Sequence, residues 1–241
     1  MNLKCLKRKR AQELTEANKL ARYEWSKQLL RRYPKHAVDF IWFSDEKLFT
    51  IATLRNSQND RIYVHSTVKK RNVAGRRLLS TRQSVMVSVA VSTLGCTDIH
   101  FLEPSVKVNG EYYRNVVLCN MLLPDIRRVS GDWYIFQQYS APAHRACATV
   151  EFLEREMPEF ISPLLWPPNS PDLNPVDYSV WSILQEKVYK THITDLDDLK
   201  HRIRTEWAKL DHALIAAAVR QWRRRLSACA TAGGGHFEHC F

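Results

Sequence analysis

Apolar residues along the chain follow two spacings, one typical of strands and one typical of helices. Ser84–Ser92 alternates strictly, with Val at every second position from Val85, which predicts a β-strand. Val38–Phe43 is a short apolar run with β-branched and aromatic residues and predicts a buried strand. Leu48–Thr53 predicts a second strand, paired with the first through a turn at Ser44–Lys47. Further strands are expected at Arg61–His65, Ile99–Leu102, Asp132–Gln138 and Phe160–Trp166.

Apolar residues at three- and four-residue steps predict helices in the remaining segments. This spacing predicts a first helix in residues 11–31. The helix should end before Tyr33-Pro34, because a residue that precedes proline avoids the helical region. A meander of strands followed by strand–helix alternation implies an α/β fold, with a mixed sheet and helices on both faces. The other predicted helices are Asn109–Arg128, Ala143–Met157, Val176–Tyr189, Leu196–Leu210 and Ala213–Ser227.

Positive charge is concentrated at one end of the sequence. The chain of 241 residues has a net charge of +11, and residues 1–36 hold eleven Lys and Arg against three Glu. Such a balance favours an anionic partner, for example nucleic acid. For this basic arm, a helix packed on the domain and a phosphate-binding arm are equally supported.

Composition excludes several classes of protein. No apolar run approaches the ~20 residues that a membrane span needs, so no membrane partner is predicted. Six cysteines without paired spacing indicate reduced intracellular thiols rather than a disulfide scaffold.

The length of the chain suits one domain with appendages. We predict a basic helical arm at 1–36, an α/β domain at 37–228 and a flexible tail at 229–241.

Two aspartates are candidates for chemistry. Asp45 follows the first predicted strand, and Asp177 lies in the first turn of a predicted helix. Acids so placed can converge on a pair of Mg²⁺ ions, which bind carboxylates together with substrate phosphates. On position alone, the simpler interpretation is that Asp45 caps a turn and Asp177 complements a helix dipole.

Three sequence motifs change that interpretation. FSDEKLF begins at Phe43, FQQYSAPAH at Phe136 and WPPNSPDLNPVDY at Trp166. In this order they resemble the catalytic domain of mariner-type transposases, members of the ribonuclease-H-like DDE/D superfamily, over nearly the whole chain. The resemblance implies a mixed five-stranded sheet with helices on both faces, an N-terminal basic helix and C-terminal helices. It also implies DNA strand cleavage and transfer in transposition.

The resemblance implies that three acids hold two Mg²⁺ or Mn²⁺ ions. The first acid corresponds to Asp45 and the third to Asp177, whereas the position of the second holds Tyr139. A tyrosine is neutral at pH 7 and cannot bridge two cations as a carboxylate does, so we expect weakened metal binding and severely impaired cleavage. His144 is expected to cap its helix or to contact phosphate or a catalytic acid. Asn174 is expected to fix the loop that places Asp177.

DNA is the implied partner, a homodimer is left open, and the nucleus is the implied location. The residues before Asp45 are too few for the two helix-turn-helix units that read transposon ends in such transposases, so we predict a catalytic domain without that reader. The alternative is a non-enzymatic nucleic-acid-binding or interaction module. For the C-terminal arginines, exposure to solvent on a helix face is as well supported as contact with DNA. The residues predicted to contact DNA are Lys7, Arg8, Lys9, Arg10, Lys69, Lys70, Arg71, Arg223, Arg224 and Arg225.

Overall fold

One mixed β-sheet forms the centre of the structure. A computed structural model describes residues 13–51, 83–103 and 106–238. The strands are β1 (Ile41–Thr50), β2 (Ser84–Ser92), β3 (Gly95–Cys96), β4 (His100–Leu102), β5 (Ile135–Gln137) and β6 (Glu159–Ile161). Their order is β3-β2-β1-β5-β6, and β4 also pairs with β2. The β1–β5 and β5–β6 pairs are parallel and the others antiparallel, so the sheet is mixed, as the sequence predicts.

The described sheet has six strands rather than the predicted five, because one strand position is interrupted. β3 pairs with the end of β2, and β4 pairs with its beginning. Between them the Ala90 amide donates to Thr97 Oγ1 at 3.0 Å, and the Thr97 amide donates to the Ala90 carbonyl at 3.0 Å. β3 and β4 therefore share one edge of β2 as two halves of a broken strand.

The predicted hairpin at the start of the sheet is wrong. Val38–Phe43 and Leu48–Thr53 are not two strands, since β1 runs continuously and Lys35–Phe40 is a 3₁₀ helix. Ser44–Lys47 does not turn, because each of its residues pairs with one of β2. Asp45 therefore lies inside the central strand and not beyond its end.

Helices cover both faces of the sheet. They are α1 (Glu16–Arg32), α2 (Gly110–Tyr112), α3 (Leu123–Ser130), α4 (Pro142–Arg145), α5 (Cys147–Glu156), α6 (Trp181–Val188), α7 (Leu196–Ala208) and α8 (His212–Thr231). Two wider π-helical segments, Tyr113–Leu122 and Val176–Val180, lead directly into α3 and α6. The predicted helix Ala143–Met157 is divided at Ala146 into α4 and α5. Within the described ranges, no helix is long and apolar enough to cross a membrane.

Side chains of β1 alternate between two cores, as the period of two in a strand requires. Ile41 and Phe43 join the valines of β2 in a core that also contains residues of α1, α6, α7 and α8. Trp42 joins the core on the other face, with residues of the Tyr113–Leu122 segment and α5. Asp45 therefore faces the α6 side and Glu46 faces the opposite side.

The described part of the basic arm packs on the domain. Thr15 caps α1 by accepting a hydrogen bond from the Asn18 amide at 3.1 Å. α1 contacts α8 and buries Arg22, Ser26 and Leu29. Residues 1–12 and 52–82 lie outside the described ranges, so the predicted strand Arg61–His65 belongs to the part that is not described.

The C-terminal segment folds back onto α1. The predicted boundary at 228/229 falls inside α8, and Phe237 is buried. Gly234 has φ +79°, and its carbonyl accepts a 2.7 Å hydrogen bond from Arg22 Nε. A Cβ at Gly234 would overlap the carbonyl oxygen of Lys19. The close approach of this turn to α1 therefore requires glycine.

Gly234→Ala should destabilise the fold much more than Gly233→Ala. Both positions have positive φ, which costs a residue with a Cβ about 1–2 kcal/mol, but nothing lies within 4 Å of a Cβ at Gly233. The overlap with Lys19 should add roughly 2 kcal/mol or more. Urea unfolding of the two variants measures the difference, and equal losses would contradict the close packing of this turn.

Candidate active site

Asp45 and Asp177 lie together on one face of the sheet. Asp45 projects from the middle of β1 towards α6, where Trp181 Nε1 donates a hydrogen bond to Asp45 Oδ2 at 2.6 Å. Asp177 lies in the π-helical segment that leads into α6, and its carboxyl group is within hydrogen-bond reach of Asp45. The structure thus brings together the first and third predicted acids, which are 132 positions apart in sequence.

The two carboxyl groups have unfavourable surroundings for ionisation. Burial raises the pKa of Asp45 well above its usual range, and the charges of Asp177 and Glu46 raise it further. Burial also raises the pKa of Asp177, to about 6, against the opposing effect of the Lys47 ammonium. Burial in turn lowers the pKa of Lys47. Two close carboxylates with so little compensating charge form a donor set that suits a divalent cation.

Asn174 holds the loop before Asp177 against β1. Its Nδ2 donates to the Ser44 carbonyl at 3.2 Å, and its Oδ1 accepts from the Val176 amide at 3.0 Å. The first bond fixes the loop beside Asp45. The second bonds the loop to Val176, the first residue of the segment that contains Asp177. Asn174 thereby sets the separation of the two acids without touching either of them.

A buried arginine of α1 holds the same loop from behind. Arg22 is fully buried and donates to both carboxylate oxygens of Asp172, at 2.9 and 2.7 Å. It also donates to Ser170 Oγ at 2.6 Å and to the Asn169 carbonyl at 3.3 Å. The helical pattern of α1 did not reveal this role, because an arginine within a basic arm is typical of a solvated surface.

Tyr139 lies where the resemblance places the second acid. It lies two residues after the end of β5, is half-buried and packs against the core on the Asp45 side of the sheet. Burial raises the pKa of its phenol, and the charges of Asp177 and Asp45 raise it further. The phenol is therefore neutral at physiological pH and supplies no negative charge to the carboxylate pair.

His144 supports Tyr139 from the opposite face of the sheet. Its Nδ1 lies 2.6 Å from the Tyr139 carbonyl oxygen, and its Nε2 lies 3.4 Å from Glu46 Oε2. Ser88 Oγ donates to the other oxygen of Glu46 at 3.1 Å, and the ring of Tyr113 stacks on His144 at 4.1 Å. Burial acts to lower the pKa of His144, but Glu46 and the Tyr139 carbonyl together raise it above its usual value.

His144 thus contacts an acid, but Glu46 is not one of the two acids predicted to be catalytic. The imidazole is too deeply buried to reach a phosphate. Its partner Glu46 was missed, because nothing in the sequence links residues 98 positions apart. The only indication of its role in the sequence was the alternation of side chains along a strand, which places Glu46 on the opposite face from Asp45.

No further acid completes the pair among the described residues. Asp172 is bound to Arg22, and Asp132 lines a separate pocket with Arg127 and Arg155. Within the described ranges, no group of three or more His, Cys, Asp or Glu residues could hold a metal ion. The site therefore offers two carboxylates and one phenol.

The predicted DNA contacts differ in their surroundings. Arg223 donates to the carbonyl oxygens of Leu30 and Tyr33 and so holds the end of α1. Arg224 is exposed, in a groove that it shares with Lys35 and Arg220.

For Arg225 the predicted DNA contact is wrong. Its side chain is buried, donates to the Asp172 carbonyl and to Glu238 at 2.6 Å each, and stacks on Tyr178 at 4.0 Å. Lys7, Arg8, Lys9, Arg10, Lys69, Lys70 and Arg71 lie outside the described residues.

Comparison with known proteins identifies the arrangement. No protein-family model matches the chain. The transposase of transposable element Tcb1 from Caenorhabditis briggsae is 24% identical over 220 residues, which are 90% of this chain and 76% of that protein. The Tc3 transposase of Caenorhabditis elegans is 31% identical over 216 residues, 88% of this chain and 61% of that protein. Over most of its length this chain is therefore similar to Tc1/mariner transposases.

Solved structures show that the fold is also that of a mariner catalytic domain. The catalytic domain of Mos1 mariner transposase superposes with a TM-score of 0.70 at 20% identity, covering 95% of this chain and 99% of that one. A Mos1 paired-end complex with the left transposon end gives a TM-score of 0.77 at 22% identity, covering 98% and 68% of the two chains. This chain therefore shares the fold of that catalytic domain.

The acid pair should make this mariner-type domain less stable as the pH rises. The pKa of Asp177 is raised from 3.8 to about 6 on folding. Its contribution to stability is therefore fully present below about pH 4 and is lost as the pH rises through about 6. In EDTA, Asp177→Asn should raise the melting temperature by a few degrees at pH 8 and by about half as much at pH 5, because pH 5 lies within the range over which the contribution is lost.

Thermal unfolding at the two pH values checks this expectation, with Asp132→Asn as a control that removes the same charge from an exposed position. A change in melting temperature that is the same at pH 5 and pH 8 for Asp177→Asn would contradict the close approach of the two acids.

Proposed function

We propose that this chain is a DNA-binding, transposition-related domain whose strand-cleavage activity is severely impaired by Tyr139. The relatives that support a DNA-processing role are transposases of transposable elements. Mos1 structures of the same fold include complexes with transposon-end DNA and forms with Mg or Mn. The single observation behind the impairment is the neutral phenol beside an otherwise intact pair of carboxylates.

Asp45 and Asp177 are the residues that would hold a divalent cation. Their carboxyl oxygens are the ligands that Mg²⁺ and Mn²⁺ prefer, and their raised pKa values reflect negative charge for which the described residues offer little compensation. When bound in such a site, these cations polarise the phosphodiester and activate the attacking oxygen. Trp181 orients one oxygen of Asp45, and Asn174 fixes the loop that carries Asp177.

Tyr139 disturbs this site in charge and in size. A carboxylate at this position would supply a negative charge and a ligand able to bridge two cations, and a phenol with a raised pKa supplies neither. The ring also occupies space beside the acids that substrate phosphate would need. The two remaining carboxylates suffice for one weakly bound cation, which falls short of the pair that strand cleavage uses.

Tyr139→Asp should restore metal-dependent cleavage of DNA if the rest of the site is intact. We would compare supercoiled-plasmid nicking by the unsubstituted chain, by Tyr139→Asp and by Tyr139→Asp/Asp45→Ala, with Mg²⁺ and with Mn²⁺. Activity is expected in Tyr139→Asp alone, at least about a hundredfold above the other two, since removing a group that stabilises charge in the transition state typically costs that much. Normal nicking by the unsubstituted chain would refute the impairment.

A second function needs no cleavage. If all three proteins are inactive, a nucleic-acid-binding or interaction module remains, because the positive charge of the chain is independent of Tyr139. Salt-dependent DNA binding in EDTA supports that function. Residence in the nucleus belongs to either function, and fluorescence microscopy of the tagged chain, with and without the Lys7–Arg10 cluster, tests it.

A further inference from the structure

A groove opens close to Tyr139, between α1 and the turn that follows β6. Its volume is about 540 Å³. One wall belongs to α1 and the other to residues 162–165, so the groove is formed by segments that are distant in sequence. The residues that line it are Gln28, Arg31, Arg32, Ser162, Leu164 and Leu165.

One hydrogen bond links the wall of the groove to the segment next to the acid pair. Ser140 Oγ donates to the Pro163 carbonyl at 3.4 Å, so the segment after β5 is bound to the turn that lines the groove. Tyr139, which lies beside Asp45 and Asp177, is the residue next to Ser140. A nucleic-acid strand that extends from the acid pair on this side would therefore reach the groove.

Two arginines give the groove positive charge. Both lie in the last turn of α1 and are exposed. Arg32 bridges Glu159 at 3.3 Å across the surface, and no described residue forms an ion pair with Arg31. Because a guanidinium matches the geometry of phosphate oxygens, and an exposed ion pair exchanges partners at little cost, both side chains can bind a phosphate backbone.

Leu164 projects from the opposite wall into solvent. It is 82% exposed, more than any other large apolar residue in the described ranges. The turn that carries it is ordered by two hydrogen bonds to Ser162, from the Leu165 amide to the carbonyl at 2.8 Å and from the Leu164 amide to Oγ at 3.3 Å. The turn therefore holds an apolar side chain outward beside two arginines, where apolar contact with an unstacked base becomes favourable.

We propose that this groove holds the DNA strand next to the acid pair, with Arg31 and Arg32 on its phosphates and Leu164 against an unstacked base. The inference rests on the proposed function, because it takes DNA as the partner. It adds a defined surface on α1 and the 162–165 turn, whose two arginines belong to the basic arm but are not among the individual residues that the sequence analysis predicted to contact DNA.

The phosphate contacts can be tested through the salt dependence of binding. Fluorescence anisotropy would measure binding of a labelled duplex with a single-stranded overhang, in EDTA, from 50 to 200 mM NaCl. Arg31→Gln/Arg32→Gln should lower the magnitude of the slope of log K against log salt by about 2 and weaken binding roughly tenfold or more at 100 mM salt. The matched control is Arg127→Gln/Arg155→Gln, which removes the same charge from exposed arginines of another pocket.

The base contact can be tested with a fluorescent base analogue at the junction between duplex and overhang. Unstacking of 2-aminopurine raises its emission, so the unsubstituted chain should brighten it. Leu164→Ser should lose most of this rise and keep the salt slope. Leu20→Ser, a second exposed leucine on α1, serves as the control and should behave as the unsubstituted chain does. Melting temperatures should not change in any of these variants, because all the substituted side chains are exposed.

The outcomes separate this proposal from the proposed function. If the unsubstituted chain binds DNA and the groove variants match their controls, the groove proposal is overturned and DNA binding stands. If the Arg127/Arg155 control loses as much affinity and slope as the Arg31/Arg32 variant, binding is a property of net charge and the groove proposal is likewise overturned. If the unsubstituted chain binds no DNA even at 50 mM salt, both proposals fail.

Discussion

A single buried guanidinium fixes the geometry on which the candidate site depends. Arg22 joins α1, the loop before Asp177 and the C-terminal turn through its bonds to Asp172, Asn169 and Gly234. A charge removed from water is tolerated only when it is paired and fully hydrogen-bonded, so these three segments must meet in one arrangement. The position of the third predicted acid is thus determined by a helix whose arginine bonds to the preceding loop rather than to the acids themselves.

β1 carries two neighbouring acids with different electrostatic surroundings. Asp45 faces Asp177, with Lys47 as the nearby cation, whereas Glu46 faces the His144 imidazole and the Ser88 hydroxyl. The sheet separates the two, so the charge of Glu46 is compensated within the protein while the charges of the other pair are compensated only in part. Excess negative charge therefore collects on the face that adjoins the groove, where an external cation and a phosphate would meet it.

Sequence patterns predicted the parts of the fold that local chemistry determines. The valine alternation of Ser84–Ser92 gave β2 without error, and the motif around Asp177 gave the acid at the start of a helical segment. The prediction failed at Ser44–Lys47, because a polar run in a central strand resembles a turn until its partner strand is known. Arg22 and Glu46 could not be found, since what distinguishes each of them is a partner brought close only by folding.

The bond between His144 and residue 139 has a consequence for how such a domain changes over generations. His144 contacts the main-chain carbonyl of residue 139, so its support does not depend on which side chain that residue carries. Codons for aspartate and tyrosine differ by one nucleotide. The step from the acid that the motif implies to the phenol present here is therefore a single base change that leaves this main-chain support in place. The main-chain support at this position is therefore independent of whether residue 139 is an acid or a phenol.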